Sequence, residues 1–251
     1  MIDIHSHILH GLDDGAKTFE DSIAMVQMAA AAGTTDIVAS PHANQDYLFD
    51  PRVVERKIGE LQAAVGDTPR IYFGCDFHLT PENIDDALHS GEKYSINHKG
   101  YLLVEFSDFH IPKTTEEIFA RLMRAQLRPI ITHPERNQLL QNRLEDLEAW
   151  VAGGALLQIT AQSFLGRFGR TAKRVCEELM DRGLVHFVAS DAHDLKWRPT
   201  ALDESFRYVA KNFGDEAAIR VFEENPRATL AGVPLPAVPI PIKRRKWYSI
   251  W

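Results

Sequence analysis

The sequence predicts an α/β protein folded as an irregular seven-stranded (β/α)7 TIM-like barrel, with a metal site at the carboxyl ends of the strands. Three observations carry this expectation. Seven short apolar stretches recur about 27 to 35 residues apart, with helical segments between them. That is the spacing of βα units, whose right-handed crossovers favour a parallel sheet. A metal-ligating residue type falls at the end of six stretches: His5, His42, Asp76, Glu105, His133 and Asp191. An open doubly wound sheet gathers its site at one switch point, whereas a barrel draws on most of its strand ends. The 251 residues, 45% hydrophobic and 25% charged, suit one large domain with a sizeable core.

The first stretch, Ile2-Asp3-Ile4, leads into His5-Ser6-His7 and leaves no room for a signal peptide ahead of it. Side chains two apart on a strand point the same way, so both imidazoles face one side. Thr18 and Asp21 form a capping box for a helix that ends at Gly33. The second strand, Asp36 to Ser40, runs into Pro41-His42. Asp50-Pro51 gives the next helix a cap and first-turn proline, and Gly66 closes it. Arg70 to Cys75 is the third strand, ended by Asp76-Phe77-His78, and Thr80-Pro81 opens a short helix. Tyr101 to Val104 is the fourth strand, ending at Glu105. Helical periodicity over Thr114 to Gln126 precedes the fifth, Pro129 to Thr132, which ends at His133.

A helix over Leu144 to Ala152 gives way at Gly153-Gly154 to the sixth strand, Leu156 to Thr160. A longer helical region ends near Gly183, and the seventh strand, Val185 to Ser190, runs into Asp191-Ala192-His193. Helices around Leu202 to Asn212 and Glu216 to Glu223 complete a domain over 1–232. Residues 233–251 form a separate tail, proline-rich and then Lys243-Arg244-Arg245-Lys246-Trp247-Tyr248-Ser249-Ile250-Trp251. Four cations beside three aromatics suit an anionic membrane surface or a partner protein. An arm packed on its own barrel or on a neighbouring subunit explains them equally well.

Charge and cysteine content exclude several classes. A net charge of −7 argues against nucleic acid as the main partner. Two cysteines, Cys75 and Cys176, cannot build a disulfide framework and suit a reducing compartment. No apolar run approaches the roughly 18 residues of a spanning helix. The expectation is a soluble cytoplasmic protein, peripheral to the inner membrane face only if the tail docks there.

Four carboxylates (Asp14, Asp76, Glu105, Asp191) and five imidazoles (His5, His7, His42, His133, His193) supply nine donors. One tetrahedral ion takes four, so several divalent ions are implied. Nitrogen and oxygen donors without thiolate suit manganese, iron or zinc rather than calcium or a soft metal. Clustered ions lower the pKa of a bound water and clamp an in-line phosphoryl displacement, so no protein nucleophile is required. Arg136, three residues after His133, and Arg198, in Lys196-Trp197-Arg198-Pro199, are the candidates for substrate phosphate. A guanidinium fork matches phosphate oxygens. Trp197 would line the pocket mouth.

Blander readings hold for the rest. His10, His78 and His110 read as outer or surface histidines, and His89, His98 and His186 as incidental. Ser6, Ser107 and Ser190 lack triad partners. Cys176 and Arg182 have the spacing of a thiol phosphatase, but their segment is helical and carries three acidic residues. A phosphate-binding thiolate needs instead a ring of backbone N–H groups.

Six motifs, His5-Ser6-His7, Asp14-Gly15, Pro41-His42, Glu105-Phe106-Ser107, His133-Pro134-Glu135-Arg136 and Ser190-Asp191-Ala192-His193, resemble those of the polymerase-and-histidinol-phosphatase (PHP) superfamily. The resemblance runs from Met1 to about Gly232. Within that superfamily the chain looks most like the bacterial manganese-dependent protein-tyrosine phosphatases of capsule and exopolysaccharide operons. The resemblance implies three divalent ions, with manganese favoured over iron or zinc. His5, His7, Asp76 and Asp191 would hold the first. Asp76, Glu105 and His133 would hold the second, and Asp14, His42 and His193 the third. It also implies Arg136 and Arg198 on the phosphate of a phosphotyrosine protein, such as a bacterial tyrosine kinase controlling polysaccharide export. Asp76 stands where the superfamily commonly has glutamate, one methylene longer, which leaves the second position more open. Three alternatives stay in play: a phosphoesterase for histidinol phosphate or a nucleotide, a metal-binding module without turnover, and a C–N hydrolase. The full donor set speaks against the module. Glu105, where many C–N hydrolases carry a modified lysine, speaks against the last.

Overall fold

The computed structural model describes residues 1–235, so the basic and aromatic segment 243–251 lies outside the described residues. Nine short strands run through the chain: β1 (Ile2–Ser6), β2 (Asp36–Ala39), β3 (His42–Ala43), β4 (Arg70–Phe73), β5 (Asp76–His78), β6 (Tyr101–Glu105), β7 (Arg128–Thr132), β8 (Leu156–Thr160) and β9 (Phe187–Ala189). Every strand pair is parallel. The expected single seven-stranded barrel is not found. The ladders form two sheets, β1-β2-β4 and β3-β5-β6-β7-β8-β9, and no closed ring of pairing.

The reason lies in two expected strands that each break in two. The second breaks at Ser40-Pro41, where proline has no N–H to offer a ladder. The third breaks at Gly74-Cys75. A Cβ on Gly74 would lie 2.4 Å from Val38 Cγ1, so only glycine lets the two strands pass this closely. Beyond each break the chain steps into the second sheet, with His42 opposite Asp76. The sheets meet where Asp76 N–H donates to Pro41 O (3.1 Å) and where Ser6 bridges Ala192, just past β9.

Alternation along β6 shows how the sheets sit in the core. Tyr101 and Leu103 join Ile2, Ile4, Val38, Ile130, Leu156 and Phe187 in one buried cluster. Leu102 and Val104 face the other way, into the larger cluster shared with the helices. Fully burying such side chains stabilises by roughly 1.5–3 kcal/mol each.

Helices α1 (Phe19–Ala31), α2 (Pro51–Val65) and α3 (Pro81–Ser90) begin at the expected caps. Thr18 Oγ1 accepts from Asp21 N–H (3.1 Å), Asp50 Oδ1 from Arg52 N–H (3.0 Å) and Thr80 Oγ1 from Asn83 N–H (3.2 Å). Next come α4 (Thr115–Arg124) and α5 (Leu144–Ala152). The long helical region divides into α6 (Ala161–Phe164) and α7 (Gly169–Asp181), with Gly166 and Gly169 in the left-handed region between them. After α8 (Asp203–Phe213) the chain differs from expectation. A short α9 (Asp215–Ile219) widens into a π turn and a further helix, α10 (Asn225–Ala231), starts around Pro226. Among the described residues no helix is long and apolar enough to cross a membrane.

Candidate metal centre

All nine expected donors converge. Each belongs to at least one group of ligand atoms lying within 4.8 Å of one another. His5 and His7 stand side by side, Nε2 to Nε2 3.3 Å. Asp191 Oδ1 lies 3.4 Å from His5 Nε2 and 3.3 Å from His7 Nε2, and Asp76 Oδ2 lies 3.4 and 4.0 Å from the same atoms. Donors sharing one tetrahedral ion at about 2.1 Å stand roughly 3.4 Å apart, so these four fit a single cation. Asp76, Glu105 and His133 make a second group, with Glu105 Oε1 3.5 Å from His133 Nε2. Around Asp14 Oδ1 gather His42 Nε2 at 3.4 Å and His193 Nε2 at 3.3 Å, with His7 in the same group.

Close approach without hydrogen bonding is the feature that calls for cations. His42 Nδ1 lies 3.2 Å from Asp76 Oδ2, yet both atoms are buried without a hydrogen-bond partner. The same holds for Asp76 Oδ1, Glu105 Oε2 and His193 Nε2. Buried polar atoms are almost always satisfied, so such a concentration indicates a missing positive partner. The titration directions agree. Burial pushes His7 and His133 down, and burial with the neighbouring His7 pushes His193 to about 2. These imidazoles are therefore neutral, the form that ligates. Burial alone would lower His42 too, but the carboxylates of Asp14 and Asp76 hold it up to about 11.

The strand ends are shaped for this. His133 (φ 33°) and Asp191 (φ 49°) both occupy the left-handed region, which non-glycine residues rarely visit. Asp191 N–H donates to His5 O (2.8 Å) and His133 N–H to Gln158 O (2.8 Å), which holds each turn against the neighbouring strand. Gly15 packs its backbone against His7, where a Cβ would meet His7 O at 2.1 Å.

Both expected arginines reach the cluster, and both reach the same atom. Arg136 Nη1 contacts Asp191 Oδ2, and Arg198 Nη2 donates to it at 2.5 Å. Burial and the facing Arg198 bring Arg136 down to about 10, which leaves it charged at neutral pH. Trp197 is 60% exposed, with the Arg167 guanidinium 5.5 Å from its ring. Cys176 is sealed inside α7 and burial raises its thiol well above the usual range, while Arg182 pairs with Glu148 and Glu178. No thiol site exists there.

A family model described as capsular polysaccharide synthesis, CpsB/CapC, matches residues 1–231. The chain belongs to the CpsB/CapC family. Staphylococcus aureus CapC is 38% identical over 210 residues, 82% of either chain. The tyrosine-protein phosphatase YwqE of Bacillus subtilis is 34% identical over 255 residues, the full length of both. A solved structure, described with YwqE and Streptococcus pneumoniae CpsB as metal-dependent tyrosine phosphatases, superposes with a TM-score of 0.88. It is 32% identical and covers 98% of this chain and 100% of the other.

Three residues that sequence reasoning passed over complete the site of this CpsB/CapC chain. Asp13 Oδ2 lies 2.7 Å from His7 Nδ1, and Asp13 also accepts from Gly15 N–H (2.9 Å) and His42 N–H (3.2 Å). Gln158 Oε1 lies 2.9 Å from His5 Nδ1. Each occupies the rear nitrogen and turns Nε2 into the cluster. The signal for Gln158 was a lone amide in the apolar run Leu156-Leu157-Gln158-Ile159. The third, His78, was read as outer or surface. The structure corrects this, because His78 groups with His42 and Glu105. The overlooked signal was Asp76-Phe77-His78, whose alternation repeats that of His5-Ser6-His7.

Proposed function

We propose that this chain is a metal-dependent phosphatase that hydrolyses phosphotyrosine in proteins, with a bacterial tyrosine kinase of capsule or exopolysaccharide synthesis as its substrate. His5, His7, Asp76 and Asp191, then Asp76, Glu105 and His133, then Asp14, His42 and His193 hold three divalent cations, with manganese the favoured metal. When bound, these ions supply Lewis-acid charge and an acidified water. The observation that carries the reading is Asp191. One of its oxygens faces imidazoles and the other takes two guanidiniums. A cation site and an anion site thus share one carboxylate.

Arg136 and Arg198 hold the phosphate oxygens and stabilise the charge that builds on them in transfer. Three of the most exposed large apolar side chains, Leu48, Phe109 and Trp197, lie in the loops after β3, β6 and β9. These loops leave the strand ends that carry the donors. Such a rim favours a polypeptide over a small metabolite. The test is turnover of a phosphotyrosine peptide against histidinol phosphate and a nucleotide, with manganese and with chelator. A higher kcat/KM on the peptide, abolished by chelator, is expected. Preference for a metabolite would replace the substrate assignment, and chelator-resistant turnover would remove the metals.

A further inference from the structure

We infer that His78 is a tenth donor, ligating the cation shared by Asp76, Glu105 and His133. This rests on the reading of the cluster as a metal centre and extends it. Asp76 and His78 lie two apart on β5, with Phe77 turned into the core against Tyr94 (ring centroids 5.0 Å). The parallel register sets His78 opposite Glu105. His78 Nε2 touches Glu105 Oε2, yet that oxygen is without a hydrogen-bond partner. The two atoms are close without being aligned as donor and acceptor.

Asn44 fixes which form of the imidazole faces inward. Its Oδ1 accepts from Asp46 N–H and Tyr47 N–H, both at 2.9 Å, which determines the orientation of the amide. Its Nδ2 therefore points at His78 Nε2, 3.4 Å away. An amide N–H has only hydrogens to offer, so Nε2 presents a lone pair. A lone pair on nitrogen against a carboxylate oxygen repels, unless a cation sits between them. The competing arrangement is an imidazolium paired with Glu105, which that carboxylate favours against the opposing effect of burial.

The experiment loads the whole chain with manganese and competes the ions away with a chelator, counting them by elemental analysis. His78→Gln keeps an amide that can hydrogen-bond Glu105 but lacks the imidazole. His78→Gln and His78→Ala should each lose one ion per chain, or hold it at least tenfold more weakly, while the other ions stay. Loading the unsubstituted chain, 15N-labelled at histidine, with 113Cd gives a second readout that needs no variant. A one-bond coupling from cadmium to His78 Nε2 is expected. Parent-like ion number and affinity in His78→Gln, or a cadmium-loaded chain without that coupling, would overturn the inference. A parent chain that binds no divalent ion would instead overturn the metal reading itself.

Discussion

Replacing Asp3 by asparagine should remove a pH-dependent cost built into the site. The Asp3 carboxyl is fully buried and Oδ1 accepts from Ser190 N–H (3.0 Å) and His5 N–H (3.3 Å). Burial raises its pKa from 3.8 to about 6, outweighing those hydrogen bonds. Between these values the folded chain holds a proton that the unfolded chain has released. Stability must therefore fall as pH rises from about 3.8 through about 6, then level off. A shift of about two units corresponds to about 3 kcal/mol. Asparagine has no such titration. It also places an amide nitrogen where Oδ2 now lacks a partner, at a fixed cost that does not vary with pH. The quantity to measure is therefore the difference in urea unfolding free energy between parent and Asp3→Asn, both chelated, from pH 4 to pH 7.5. That difference should move in favour of the variant by about 3 kcal/mol across the range. A difference that stays constant with pH would refute the reasoning.

Other perturbations separate the parts of the site. Asp13→Ala frees His7 Nδ1 and should weaken metal binding roughly 10- to 100-fold in a chelator competition; unchanged affinity would mean that packing alone orients the ring. Arg136→Ala and Arg198→Ala should each lower kcat/KM on a phosphotyrosine peptide by about 100-fold or more, with metal content near that of the parent. Loss of metal in either would show that the arginine acts by holding Asp191 rather than phosphate. Gly15→Ala drives a methyl group into His7 O and should cost about 1–3 kcal/mol in urea unfolding, with weaker binding at the Asp14 position.

Donors at strand ends were legible because strand period and βα spacing are local properties. His5, His42, Asp76, Glu105, His133 and Asp191 each follow an apolar run, and no other information was needed to group them. Asp13 and Gln158 were not legible in the same way. Each acts through the rear nitrogen of a histidine, Asp13 from a loop and Gln158 from a strand 153 residues away in sequence. Nothing in a single strand encodes that pairing. The two-sheet arrangement was hidden for a similar reason. Pro41 and Gly74 were visible, but their effect depends on which neighbour passes close, and Val38 is that neighbour. His78 was legible and missed, because the period-two rule was applied to the first strand and not to the third.

The costs at the site point to what the fold is organised to hold. His133 and Asp191 keep left-handed backbone, at about 1–3 kcal/mol each, and Asp3 stays buried at neutral pH. All three act at the same two places, the turns after β7 and β9. Asp3 bonds the backbone of both His5 and Ser190, the residues that precede His7 and Asp191 in their turns. A less costly polar residue at position 3 would relax the register between β1 and the end of β9. That register sets the 3.3 to 3.4 Å spacing of His5, His7 and Asp191. Asp3→Asn should therefore gain stability at neutral pH in the chelated chain and lose part of it when cations are added. A variant that gained equally with and without cations would show that Asp3 serves the fold alone.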